Sequence, residues 1–112
     1  MSMDAKGASM ICKALGDATR IRIVELLTGG ELCACHLLEH FQISQPTLSH
    51  HMHVLEECGL VRARKEWKYT YYSLDCGTLT AFRGYIDHVR CDSSGIQKVD
   101  GSCRCCGAGD ET

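Results

Sequence analysis

The sequence has no hydrophobic run long enough to span a bilayer, so no membrane-embedded role is expected of it. It has no internal repeat, which argues against a solenoid or propeller. The first residues, Met1-Ser2-Met3-Asp4-Ala5-Lys6, carry no apolar stretch after their charge and do not read as a signal peptide. A cytoplasmic location is the expectation. A large excess of charge of one sign is also lacking. The formal net charge is −2, so overall charge balance does not announce nucleic acid. Proline occurs once, at Pro46.

Cysteine is abundant, with nine residues in a 112-residue chain. In an exported protein that would imply a disulfide framework. The count is odd and the chain carries regular helical patterns, so reduced thiols for metal or redox chemistry are the better reading. The length suits one domain with a modest core.

The spacing of Ala8, Ile11, Cys12 and Leu15 predicts a helix over 4–15. Gly16-Asp17 breaks it, and Asp17 can cap a second helix over 19–28, with Ile21, Val24 and Leu27 on one stripe and Ile23 and Leu26 beside it. Gly29-Gly30 ends that helix. A third helix is expected from about Leu32 to Phe41. A short turn at Gln42-Ile43 leads to a fourth, capped by Ser44, with Pro46 in its first turn where a missing N–H is harmless. Leu48, Met52 and Leu55 form its buried arc. Two strands, 60–65 and 69–74, then flank the tip Glu66-Trp67-Lys68. A last helix over about 78–90 places Leu79, Phe82, Ile86 and Val89 on one side. From Asp92 onward the chain is rich in Ser, Gly and Asp with almost no large apolar group, the composition of a flexible tail.

This order is that of a winged helix-turn-helix: a mainly α fold of five helices plus a two-stranded β-hairpin wing. Residues 1–91 are expected to be the DNA-binding and dimerisation domain, and 92–112 a cysteine-containing tail. On the fourth helix, the buried arc leaves Pro46, Ser49, His50 and His53 outward, with Gln45 and Thr47 near the end that usually enters the major groove. Gln pairs well with adenine, and Ser or Thr meets base edges or phosphate. His51 falls at the edge of the core and reads as a packed, hydrogen-bonded histidine. The histidines at 50, 51 and 53 do not converge on one face, which argues against zinc there. Arg64, Lys65 and Lys68, with Arg62 a weaker candidate, would follow the DNA backbone from the wing. The bland alternative is a solvated charged ribbon.

Glu31-Leu32-Cys33-Ala34-Cys35-His36-Leu37 carries the most specific chemistry. Thiolates select soft ions, and arsenite or antimonite suits a pyramidal three-sulfur site. On a helix, side chains at i and i+2 diverge. Cys33 and Cys35 therefore grip one ion only if the first turn is distorted, which would make ligation a lever on the helix. The bland alternative is two small buried apolar residues. Cys58-Gly-Leu-Val-Arg-Ala-Arg64 matches an oxyanion-cradling Cys-x5-Arg loop, but the expected order, helix into strand, is the reverse of what that loop needs. No enzymatic activity is expected.

Residues 8–90 resemble the ArsR/SmtB metalloregulatory repressors. The likeness lies in Leu15-Gly-Asp-Ala-Thr-Arg-Ile-Arg-Ile23, Glu31-Leu-Cys-Ala-Cys35, Ser44-Gln-Pro-Thr-Leu-Ser-His-His51, Cys58-Gly-Leu-Val61, Arg64-Lys65 and Tyr72-Ser-Leu74. The thiol motif is most similar to the arsenic branch, with related motifs in cadmium- and lead-responsive members. The resemblance implies a homodimeric repressor that binds double-stranded operator DNA and is released by As(III) or Sb(III), with no organic cofactor. In the arsenic branch another Cys often follows three residues after the second. Here that position is Leu38. A third thiolate would then come from the tail (Cys105 or Cys106, with Cys103 beside them) or from Cys12. Residues 92–102 span roughly 35 Å when extended, so the tail can reach. The tail's Cys-x-Cys-Cys also reads as a second soft-metal site of its own. Cys58, Cys76 and Cys91 read as packing or incidental. The family usually has Gly where Trp67 stands. Two alternatives stay open: a cadmium, lead or zinc sensor of the same fold, and a thiol redox sensor.

Overall fold

Local capping decides where the helices begin. In the computed structural model, which describes residues 3–91, 93 and 95, three carboxylates and one hydroxyl take up the N–H groups that a helix start leaves unpaired. Asp4 accepts from Gly7 N–H and opens α1 (Ala5–Ala14). Asp17 accepts from Thr19 and Arg20 N–H and opens α2 (Ala18–Leu27). Ser44 accepts from Thr47 N–H and opens α4 (Gln45–Glu57). Asp75 accepts from Thr78 N–H and opens α5 (Cys76–Asp87), so this helix starts and ends earlier than the 78–90 expected.

The third helix departs most from expectation. Leu32–Cys33 is a short strand, β1, and only Ala34–Leu38 is helical, as α3. The reason is non-local. Leu32 pairs with Tyr72 and Cys33 with Tyr71, so their backbone groups are satisfied across a sheet before a helix can claim them. Past Leu38 the chain tightens into i→i−3 turns, with His40 N–H donating to Leu37 O and Phe41 N–H to Leu38 O. The wing strands are β2 (Val61–Glu66) and β3 (Tyr69–Leu74), and the sheet has three antiparallel strands in the order β1-β3-β2. The hairpin is thus stitched to the segment holding the first thiol.

The core gathers Ile11 and Ala14 of α1, Ile23 and Leu27 of α2, Leu37 of α3, and Leu48, Met52 and Leu55 of α4, closed by Leu60, Val61 and Tyr72. The expected arc on α4 is fully buried. On α2 the buried pair is Ile23 and Leu27, while Ile21 is 44% exposed: the inward stripe runs one step round from the expected one. Gly59 has φ +89 between α4 and β2, a conformation that side chains with a Cβ rarely adopt, and it turns the chain from helix into strand. Leu79 and Phe82 lean on the core, whereas Ile86 and Val89 remain exposed at the far end of α5. No helix among the described residues is long and apolar enough to cross a membrane.

Candidate thiol site and nucleic-acid interface

Helix α4 presents Gln45, Thr47, Ser49, His50 and His53 to solvent, as its period requires once Leu48, Met52 and Leu55 are inward. Ser44 Oγ also donates to Thr47 Oγ1 at 2.9 Å, which orients that hydroxyl. His53 Nε2 lies 3.3 Å from Glu57 Oε2 on an open surface, a weak pair even when the ring is charged. His51 is half-buried. Its Nδ1 lies 3.0 Å from Arg20 Nη1, and Arg20 Nε donates to Ala14 O. Burial holds the ring below its ordinary imidazole pKa. As the acceptor, Nδ1 carries no proton, and the link ties α4 to the start of α2.

The wing cations divide into two kinds. Arg62 Nε donates to Asp75 Oδ2 at 3.0 Å, so it supports the cap of α5. Arg64 is held by two carboxylates. Its Nε and Nη2 donate to the two oxygens of Glu31 at 3.1 and 2.7 Å, its Nη1 donates to Glu66, and its guanidinium lies 4.7 Å from the centre of the Tyr71 ring. These hydrogen bonds draw the Glu31 carboxyl below the usual carboxylate range. Arg64 was expected to face phosphate; in this structure its charge is already answered within the chain. Among the described residues, no carboxylate pairs with Lys65 or Lys68. Lys68 Nζ lies over the rings of Trp67 and Tyr69. Trp67 is 84% exposed with φ +60 at the first of the two loop residues, a place that ordinarily favours glycine.

The two thiols meet because an element boundary falls between them. Cys33 ends β1 with extended backbone (φ −80, ψ 159), and Cys35 stands in the first turn of α3. The i, i+2 divergence of a continuous helix is thereby removed, and the sulfurs lie 2.8 Å apart. Cys33 is buried and Cys35 exposed. A hydrogen bond from Cys35, then the His36 backbone N–H, pulls the Cys33 thiol below its ordinary pKa, and the same bond pushes Cys35 up. Of the two, Cys33 is thus the more readily ionised. His36 Nδ1 lies 3.3 Å from Cys33 Sγ, a contact that the sequence reading did not single out. Cys35 also borders a depression of about 140 Å³ with Gln45 and Ser49 of α4, so a group held at Cys35 adjoins the start of that helix.

Among the described residues, no three His, Cys, Asp or Glu side chains surround a common point. Cys12 is exposed on α1. Cys103, Cys105 and Cys106 lie outside the described residues. Cys58 Sγ donates to Leu55 O, and burial pushes its thiol up, as suits a packing residue; Cys76 and Cys91 are exposed. The Cys58–Arg64 stretch does run from helix into strand.

A family model described as bacterial regulatory protein, arsR family, matches residues 17–63, from the cap of α2 into the wing. An arsenical resistance operon repressor of Staphylococcus xylosus is 43% identical over 103 residues, covering 92% of this chain and 92% of the relative. The chain belongs to the ArsR family. A second relative, a cadmium resistance transcriptional regulatory protein CadC homolog of Staphylococcus aureus, is 44% identical over 66 residues, 58% of this chain and 54% of that protein. The crystal structure of a possible transcriptional regulator for arsenical resistance superposes with a TM-score of 0.66 at 39% identity, covering 71% of this chain and 83% of that one. The ArsR chain described here is thus a winged-helix transcriptional repressor.

Proposed function

We propose that this repressor binds operator DNA as a homodimer and lets go when Cys33 and Cys35 take up arsenite or antimonite. The observation that carries the reading is the pair of sulfurs 2.8 Å apart, one of them acidified, at the junction of β1 and α3. A soft trivalent metalloid fits such donors. Bound there, it would supply a thiophilic centre linking the strand end to the helix. The chain's own work is to hold the two sulfurs together, to give up the thiol protons on binding, and to pass the movement of α3 to the Gln45 and Ser49 end of α4. Gln45, Thr47, Ser49, His50 and His53 read the groove, and Lys65 and Lys68 hold the backbone. Residues 1–91 are the DNA-binding and dimerisation unit. The third thiolate comes from Cys105 or Cys106 in the segment 92–112, ahead of Cys12.

A titration of operator-bound protein with arsenite, antimonite, cadmium and zinc in the presence of reductant tests this. Release by arsenite and antimonite at the lowest concentrations is the expected result. Release by cadmium alone would reassign the inducer, and the CadC-like relative makes that arm necessary. Release by an oxidant, reversed by reductant with no metal added, would turn the same two sulfurs into a redox switch.

A further inference from the structure

We propose that Glu31 and Arg64 form the link through which the thiol site acts on the wing, so that inducer repositions the hairpin as well as the reading helix. This rests on the reading of Cys33 and Cys35 as the inducer site.

Three observations place the link. Cys33 pairs with Tyr71 and Tyr71 pairs with Arg64, so the first thiol, the aromatic ring and the guanidinium occupy one row across the sheet. Arg64 lies over the Tyr71 ring of that row. Glu31, two residues before Cys33, grips Arg64 with both oxygens. A lone surface ion pair with one contact would carry little. A two-point carboxylate–guanidinium contact fixes direction as well as distance, and a backbone ladder runs beside it. A shift of the segment from Glu31 to Cys33 would therefore pull on Arg64, and Arg64 belongs to the strand that leads to Lys65, Trp67 and Lys68. The clamp also explains why a wing arginine is neutralised in the protein: it serves as a mechanical tie and leaves phosphate to the two lysines.

The chain's sole tryptophan stands at the wing tip and reports on it. Full-length reduced protein, without DNA, is titrated with arsenite while two signals are followed: ultraviolet absorption of the sulfur–arsenic bonds and Trp67 emission. In the parent protein both should change with the same midpoint. Glu31→Gln leaves one oxygen and puts an N–H₂ against the guanidinium, which breaks the two-point contact. It should keep the absorption change, which also shows that the variant is folded, and lose most of the emission change. Arg64→Gln should behave alike, and the double variant should show no further loss. In the operator assay, arsenite-driven release from Glu31→Gln should fall at least about fivefold. An emission change in Glu31→Gln equal to the parent's would overturn the link while leaving the thiol site standing, and so would a parent whose absorption changes while Trp67 stays silent. An absorption change that is absent, or that survives Cys33→Ser, would remove the inducer site and the link with it.

Discussion

Helix α4 and the wing both carry exposed polar side chains, yet they are built on opposite terms. On α4 the buried arc of Leu48, Met52 and Leu55 settles the orientation, Ser44 closes the start, and His51 is tied to Arg20, so the outward residues sit on a rigid element with little else to do. On the wing, Arg62 and Arg64 are committed to Asp75, Glu31 and Glu66, and Trp67 takes a backbone conformation that suits glycine. Of the cations along β2, two are therefore already paired within the chain. What separates the groups is whether a carboxylate lies within reach in the folded chain.

The largest expected effect lies where the two regions are joined. Cys33→Ser or Cys35→Ser should abolish arsenite release while leaving operator affinity in place, because neither thiol is on the outward face of α4. Equal release of parent and variant, measured by anisotropy of a labelled duplex, would show that the thiols do not couple to either region. Next in size, Ser49→Ala or His50→Ala should weaken operator binding by roughly 1–3 kcal/mol where the residue meets a base, with much less change on unrelated DNA. A uniform loss on all duplexes would put these residues on phosphate and erase the proposed division of labour.

The wing itself is tested by salt. Lys65→Gln and Lys68→Gln should each flatten the dependence of log affinity on log salt by about one unit. Arg62→Gln should leave that slope alone and lower thermal stability slightly, since its partner Asp75 caps α5. A slope change for Arg62→Gln as large as for the lysines would mean that the ion pair opens on DNA and that the distinction between the two kinds of cation is false.

The features readable in the sequence were those that local chemistry decides. Asp17 and Ser44 announce helix starts because a cap acts within three residues. The α4 arc follows from the helical period, and His51 falls at its edge for the same reason. The winged-helix order and the ArsR kinship were legible from these together with the quoted motifs. The strand Leu32–Cys33 was not legible, because two residues have no periodicity and this strand exists only through pairing with Tyr71 and Tyr72, far along the chain. Without it the thiols looked divergent, and their close approach had to be imagined as a distortion. The Glu31–Arg64 clamp spans 33 positions and was hidden for the same reason: it depends on the register of a three-stranded sheet. The inward stripe of α2 is not fixed by its sequence because five of its ten residues are large and apolar and lie on several faces, and packing selects Ile23 over Ile21.

The smallest effect, and the sharpest test of how the wing differs from α4, is Trp67→Gly. A positive φ in a residue with a bulky side chain costs on the order of 1–3 kcal/mol. Glycine removes that strain but adds unfolded-state entropy of roughly 0.5–1 kcal/mol. It also loses the edge-on contact with Tyr69 at 6.2 Å and the approach of Lys68 Nζ at 4.9 Å, interactions of modest size on an open surface. The balance should be a stabilisation of no more than about 1 kcal/mol, a rise of a few degrees in Tm. The salt slope should stay as in the parent, because no charge is removed. If Tm falls instead, the aromatic and cationic contacts outweigh the strain, and the wing tip is as firmly organised as the reading helix. If Tm rises while operator affinity drops sharply, the exposed ring is retained at the expense of stability because it touches DNA, and Trp67 joins Lys65 and Lys68 in the interface.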